Sequence, residues 1–211
     1  MNTNQWQTYL VTAAGRSAGR TTPDVVAAAL DAGIDAVQLR DKGTSARERY
    51  ETGRRLRELT AEAGVPLIVN DRIDLAAAVD ADGVHLGQSD LPVEVARDRL
   101  GESATVGVST STADEAREAA AAGADYLGVG AVYATTSKDV PDDRNGIGTD
   151  RIAAVADAVD VPVIGIGGID ASNAASVVEA GATGVAVLSA ITAAEDPAEA
   201  TAEVGEAVAD V

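Results

Sequence analysis

Asp71 and Asp90 each stand at or just beyond the end of a short apolar run, Leu67 to Asn70 (LIVN) and Gly83 to Leu86 (GVHL). If the two runs are neighbouring parallel strands, both carboxylates project from the C-terminal edge of one sheet, where α/β proteins place their ligands. The chain has no cysteine and a single histidine, His85, so a metal held here would be a hard, oxygen-binding one. Mg²⁺ takes one or two carboxylates and fills its shell with water and phosphate oxygens. The pair therefore predicts a magnesium-diphosphate site. Each aspartate taken alone also reads as a helix cap, and Asp90-Leu91-Pro92 has that look.

A site for a diphosphate needs local cations, because the chain carries 16 basic against 34 acidic residues, a net charge of −18. Gln38-Leu39-Arg40-Asp41-Lys42 straddles the end of another apolar run. Strand alternation puts Gln38 and Arg40 on one face, and Lys42 continues that register into the loop. Three donors then face one point, the guanidinium as a planar fork and the ammonium as a point charge. Thr135-Thr136-Ser137-Lys138 sets three hydroxyls and the second of only two lysines in a row within the longest loop, Ala134 to Gly148. Ser109 ends a further strand, where its hydroxyl either donates to a phosphate or caps the next helix. Gly167-Gly168, and the stretch ending in Ser189, match the glycine-rich turns whose backbone N–H groups bind anions, though glycines also serve as turn formers. His85, flanked by Val84 and Leu86, reads as a hydrogen-bonded interior residue rather than a catalyst, and Gln88 lies nearer the strand ends.

Eight βα units position these residues. Strands are expected at Tyr9 to Ala13, Ala36 to Arg40, Leu67 to Asn70, Gly83 to Leu86, Thr105 to Ser109, Tyr126 to Gly130, Pro162 to Ile166 and Gly184 to Ser189. Ala-rich helical segments alternate with them. The first helix is expected to start at Pro23 with Thr22 as its cap, the second to run from Ser45 to Ala63, and Asn173 to lie within the seventh. Eight parallel units close into a barrel, so the expected fold is α/β, a (β/α)8 TIM barrel forming one domain over residues 1–211.

Composition narrows the function classes. An acidic chain is ill suited to nucleic acid. No apolar run approaches the roughly 20 residues of a membrane span, and Met1 to Leu10 is polar rather than signal-like, so a cytoplasmic protein is expected. The dispersed acidity, with arginine favoured over lysine and no phenylalanine, suggests a halophilic source. Small-molecule partners are expected, and a homo-oligomer is compatible with the sequence.

QLRDK, IVNDRIDLAAAVDADGVHLGQSDLP, VGVSTST, ADYLGVG, TTSK, IGIGGI and GVAVLSAI occur in one order along nearly the whole chain. In that order they resemble the thiamine phosphate synthase family, the segment from NDR to GVHLGQSDLP being the most specific part. The resemblance implies a transferase that joins a pyrimidine diphosphate to a thiazole phosphate, with Mg²⁺ as cofactor. It implies that Gln38, Leu39, Arg40, Asp41, Lys42, Asn70, Ser109 and Lys138 hold the pyrimidine diphosphate, with Arg40, Lys42 and Lys138 catalytic. Asp71 and Asp90 would bind the metal, and Thr135, Thr136, Ser137, Gly168, Leu188 and Ser189 the thiazole phosphate. Ser137 stands where the family usually has threonine, Ala131 and Ala134 where proline is usual, and Tyr133 where phenylalanine is common. A thiazole tautomerase of the same fold is the nearest alternative, but it carries a histidine after the glycine ending the sixth strand, where this chain has Ala131. A non-catalytic phosphate-ligand-binding barrel is the other.

Overall fold

The computed structural model describes residues 2–136, 145–209 and 211. Eight parallel strands close in chain order: β1 (Thr8–Val11), β2 (Ala36–Leu39), β3 (Leu67–Asn70), β4 (Gly83–Leu86), β5 (Thr105–Thr110), β6 (Tyr126–Gly130), β7 (Val163–Ile166) and β8 (Gly184–Val187), with β8 pairing back onto β1. Outside them lie α1 (Thr22–Asp31), α2 (Ala46–Ala63), α3 (Ile73–Val79), α4 (Val93–Leu100), α5 (Ala113–Ala121), α6 (Thr149–Ala156), α7 (Ala174–Glu179), the four-residue α8 (Ser189–Thr192) and α9 (Pro197–Ala209). This is the (β/α)8 barrel expected from the βα alternation.

Strand alternation divides the core in two. Leu10, Val37, Leu39, Val69, Val84, Val106, Val108, Leu127 and Val185 face outward and pack with the helices in one continuous cluster. Trp6, Tyr9, Val11, Ala36, Ile68, Tyr126, Ile164, Ala186 and Leu188 form a second, smaller cluster inside the barrel. Trp6 closes the N-terminal end, its ring 5.4 Å from Tyr9 and 5.2 Å from Tyr126. Residues reach the opposite end, the mouth, only by continuing the inward register past the strand ends.

A recurring turn sets the strand register. Gly33, Asp80, Gly123 and Gly181 all have positive φ, and two residues later stand Asp35, Asp82, Asp125 and Thr183. Asp35 accepts from the Thr8 N–H at 2.8 Å, Asp82 from Leu67 N–H at 2.8 Å and Asp125 from Val106 N–H at 2.7 Å. Each carboxylate before an even strand thus satisfies a donor at the start of the preceding odd one, the first residue of β1 and of β3 and the second of β5. Arg57 and Arg97 neutralise two of the three, at 2.7 Å from Asp82 and Asp125.

Helix ends differ from expectation by a residue or so. Thr21, not Thr22, caps α1 by accepting from Asp24 N–H, which frees Thr22 to donate to Asp41 at 2.9 Å. Ser45 and Glu48 make a reciprocal capping box on α2, and Gly64 ends that helix with φ +70°. Asn173 is the residue before α7 rather than within it, and the strand expected to reach Ser189 stops at Val187 because α8 begins there.

Candidate active site at the barrel mouth

β3 and β4 pair with Asn70 opposite His85, which brings the segments beyond them together. The chain turns sharply after Asn70: Asp71 takes φ +62°, its N–H donates to His85 O at 2.8 Å, and Arg72 N–H reaches Asn70 O at 2.7 Å. Left-handed backbone costs a non-glycine residue about 1 kcal/mol, least for Asp and Asn, and here it aims the Asp71 side chain across the mouth. Neither aspartate is a helix cap. Arg72 and Pro92 occupy the positions before α3 and α4, and Asp90 instead accepts from Gly87 N–H at 2.7 Å.

The two carboxylates lie within hydrogen-bonding contact of each other, and Lys42 Nζ stands 2.7 Å from Asp71 Oδ2. Burial works against ionisation of Asp71, but the Lys42 ammonium and the bond with Asp90 outweigh it and hold the carboxyl below its ordinary value. Asp90 is driven the other way: burial raises its pKa against the pull of the Gly87 N–H, and the Asp71 carboxylate adds to the rise. Two carboxyl groups close enough to share a proton suit a small divalent cation. Among the described residues no group of three or more His, Cys, Asp or Glu side chains converges, so any such ion would complete its shell elsewhere.

Beside this pair, β2 and β5 contribute Gln38 and Ser109. Gln38 is buried and donates from Nε2 to Tyr9 Oη at 2.9 Å. Ser109 Oγ lies 2.8 Å from His85 Nε2, and Gln88 donates to the Ser109 carbonyl at 2.7 Å. His85 is interior and hydrogen-bonded on both ring nitrogens, as its setting in β4 predicts. Ser109 does not cap α5, a task that falls to Thr112.

Two residues of the Gln38–Lys42 segment face away from the mouth. Leu39 packs its side chain in the outer core, leaving only its backbone toward the barrel mouth. Asp41 is 4% exposed, its carboxylate accepting from Thr12 Oγ1 at 3.0 Å, Ala14 N–H at 3.0 Å and Thr22 Oγ1 at 2.9 Å. That side chain fixes the β1–α1 loop; it does not reach the Lys42–Asp71 cluster. Arg40 is half-buried, its N–H donating to Thr12 Oγ1 at 3.0 Å.

Across the mouth, a cavity of about 590 Å³ gathers Thr135, Thr136, Gly168 and Ser189, four of the residues that the family resemblance assigns to the thiazole phosphate. Leu188 is buried just behind it, in the inner cluster. Asn145 clamps the loop, accepting from Thr135 N–H at 2.9 Å and donating to Thr135 O at 3.2 Å. Asn173 Nδ2 holds Gly168 O at 3.0 Å, with Gly168 at φ +65° against the Tyr133 backbone. Arg16, which the sequence reading passed over, lines the same cavity and donates from Nη2 to Thr136 O at 2.6 Å. Its signal was available as one more basic residue just past β1 in a chain poor in cations. Ser137 and Lys138 lie outside the described residues.

A closed eight-stranded βα barrel with a carboxylate-lysine cluster and a glycine-turn cavity at one mouth has the architecture of the TIM-barrel enzymes, whose sites lie at that end. Residues 8–191 match the family described as thiamine monophosphate synthase. The chain is 63% identical to the thiamine-phosphate synthase of Natronomonas pharaonis over 99% of its own length and 98% of that protein. It is 62% identical to the one of Haloarcula marismortui, over 96% and 97%. The solved structure of thiamine phosphate pyrophosphorylase from Pyrococcus furiosus superposes with a TM-score of 0.89 at 39% identity, covering 98% of this chain and 97% of that one. The chain belongs to the thiamine monophosphate synthase family.

Proposed function

We propose that the protein is a transferase that joins 4-amino-2-methyl-5-(diphosphooxymethyl)pyrimidine to a thiazole phosphate, giving thiamine phosphate and pyrophosphate. The observation that carries this reading is the pairing at one mouth of two unlike clusters, one suited to a divalent cation with its diphosphate and the other to a phosphate. One is the Asp71–Asp90–Lys42 cluster beside Gln38 and Ser109; the other is the cavity of Thr135, Thr136, Gly168 and Ser189.

In this reading Gln38, the backbone from Leu39 to Lys42, Asn70, Ser109 and Lys138 hold the pyrimidine diphosphate, and the Asp41 side chain acts only by fixing the loop. Asp71 and Asp90 hold Mg²⁺, whose charge, when bound, offsets that of the departing diphosphate oxygens. Arg40 and Lys42 add their positive charge at the same oxygens as the C–O bond of the pyrimidine methylene breaks, and the family resemblance gives Lys138 the same role. Thr135, Thr136, Ser137, Gly168, Leu188 and Ser189 hold the second substrate by its phosphate, so that the thiazole nitrogen meets the methylene carbon. Positioning and charge neutralisation supply the rate, and no side-chain nucleophile is needed. Both substrates are highly charged and do not cross membranes unaided, which suits a cytoplasmic setting. Among the described residues no helix is long and apolar enough to cross a membrane. The tautomerase alternative is not favoured, since Ala131 follows Gly130 and the relatives are synthases.

The test is a turnover assay at high salt with both substrates, following thiamine phosphate and pyrophosphate together with and without Mg²⁺. Joint, metal-dependent appearance of the two products is expected. Neither product from folded protein that still binds thiazole phosphate would shift the reading to a non-catalytic binding barrel.

A further inference from the structure

A continuous hydrogen-bonded chain crosses the barrel interior beneath the mouth. Gln38 Nε2 donates to Tyr9 Oη at 2.9 Å, Tyr9 Oη lies 2.9 Å from Tyr126 Oη, Tyr126 Oη lies 3.0 Å from His85 Nδ1, and His85 Nε2 lies 2.8 Å from Ser109 Oγ. Both phenols are fully buried and burial raises their pKa values, so both stay protonated. Glycines in β5 and β6 make room for the Tyr126 and His85 rings. A Cβ on Gly107 would sit 2.1 Å from Tyr126 Cζ, and one on Gly128 would sit 2.9 Å from His85 Cε1.

Each hydroxyl in this chain has one proton, and the amide at one end sets the direction in which they point. With Gln38 donating to Tyr9 Oη, the Tyr9 hydroxyl is left to donate a hydrogen bond to Tyr126 Oη and the Tyr126 hydroxyl to donate one to His85 Nδ1. His85 is then the Nε2–H tautomer and donates to Ser109 Oγ, whose remaining proton is directed outward. We propose that Tyr9, Tyr126 and His85 are positioning residues that order the protons so that Ser109 presents a hydrogen-bond donor to the diphosphate substrate. The same chain fixes the amide of Gln38, so it couples two walls of the pyrimidine subsite, β2 and β5. The substrate half of this inference rests on the function proposed above; the tautomer does not.

His85 is the only histidine, so its tautomer is read without assignment by ¹⁵N NMR of histidine-labelled protein. The Nε2–H form is expected, and a ring protonated at Nδ1 alone would overturn the proposal, whatever the protein catalyses. The substrate half is tested with Tyr126→Phe and Ser109→Ala singly and together. Tyr126→Phe is expected to lower kcat/KM for the pyrimidine diphosphate about tenfold, the scale of one misdirected hydrogen bond to an anion, with KM for the thiazole phosphate unchanged. In the Ser109→Ala background the same substitution should cost nothing further. Additive losses, or equal effects on both substrates, would mean that Tyr126 acts only as core. Should Tyr126→Phe fail to fold, Tyr9→Phe repeats the cycle. Wild-type protein that makes no thiamine phosphate would remove the function reading and leave the tautomer result standing.

Discussion

Two aspartates of the same residue type, Asp41 and Asp71, sit at the ends of adjacent strands and do opposite things. Asp41 is consumed by three internal donors, whereas Asp71 is turned outward by a left-handed backbone into contact with Lys42 and Asp90. Asp71→Ala or Asp90→Ala is therefore expected to abolish Mg²⁺-dependent turnover with the circular dichroism of the fold intact; near-normal activity in both would remove the metal assignment. Arg16→Ala should raise KM for the thiazole phosphate about tenfold while leaving that for the pyrimidine diphosphate alone, since Arg16 lines the cavity beside Thr136 and its guanidinium bonds the Thr136 carbonyl. Lys138→Ala should slow bond breaking more than it weakens thiazole binding, and a pure loss of thiazole affinity would place the lysine on the wrong substrate.

Strands were the most legible elements. β3, β4 and β6 begin and end where hydrophobicity does, and Asp71 and Asp90 were placed by that alone. What pattern cannot reveal is which way a side chain turns once the strand stops, and so Leu39 and Asp41 entered the site by resemblance though their side chains point elsewhere. The buried chain through Tyr9 and Tyr126 was hidden for a different reason. The two residues are 117 positions apart and each reads as ordinary strand filling until closure of the barrel brings their hydroxyls together. The repeat of a positive-φ residue followed two positions later by Asp35, Asp82 or Asp125 was present in the sequence and went unread, because its partner lies one strand back. Asp125→Ala strands the Val106 N–H and takes the carboxylate from the Arg97 guanidinium, which keeps the Ala104 and Gly123 carbonyls, and is expected to cost about 1 to 3 kcal/mol of stability in denaturant titration, toward the lower end because the ion pair is partly solvated. A loss under a few tenths would show that water replaces the carboxylate at the strand start.

For the whole molecule, charge is the unbalanced quantity. Seven ion pairs join described residues, six of them through arginine, in a chain that carries 34 acidic against 16 basic residues. Screening shortens their mutual repulsion from about 30 Å at 0.01 M salt to about 3 Å at 1 M. The fold is accordingly expected to loosen as salt is withdrawn and to recover when it is restored, monitored by thermal melts across a salt series. Indifference to salt would sink the halophilic reading.

Trp6 supplies the means to watch this happen. It is the only tryptophan, it is 4% exposed, and it closes the barrel end opposite the mouth. Its fluorescence is consequently a built-in optical probe of whether the barrel is shut, blue-shifted while the plug is seated and red-shifted once water enters. Because the proposed substrate sites lie at the far opening, the same emission is expected to distinguish a protein that has come apart from one that has merely bound its ligands.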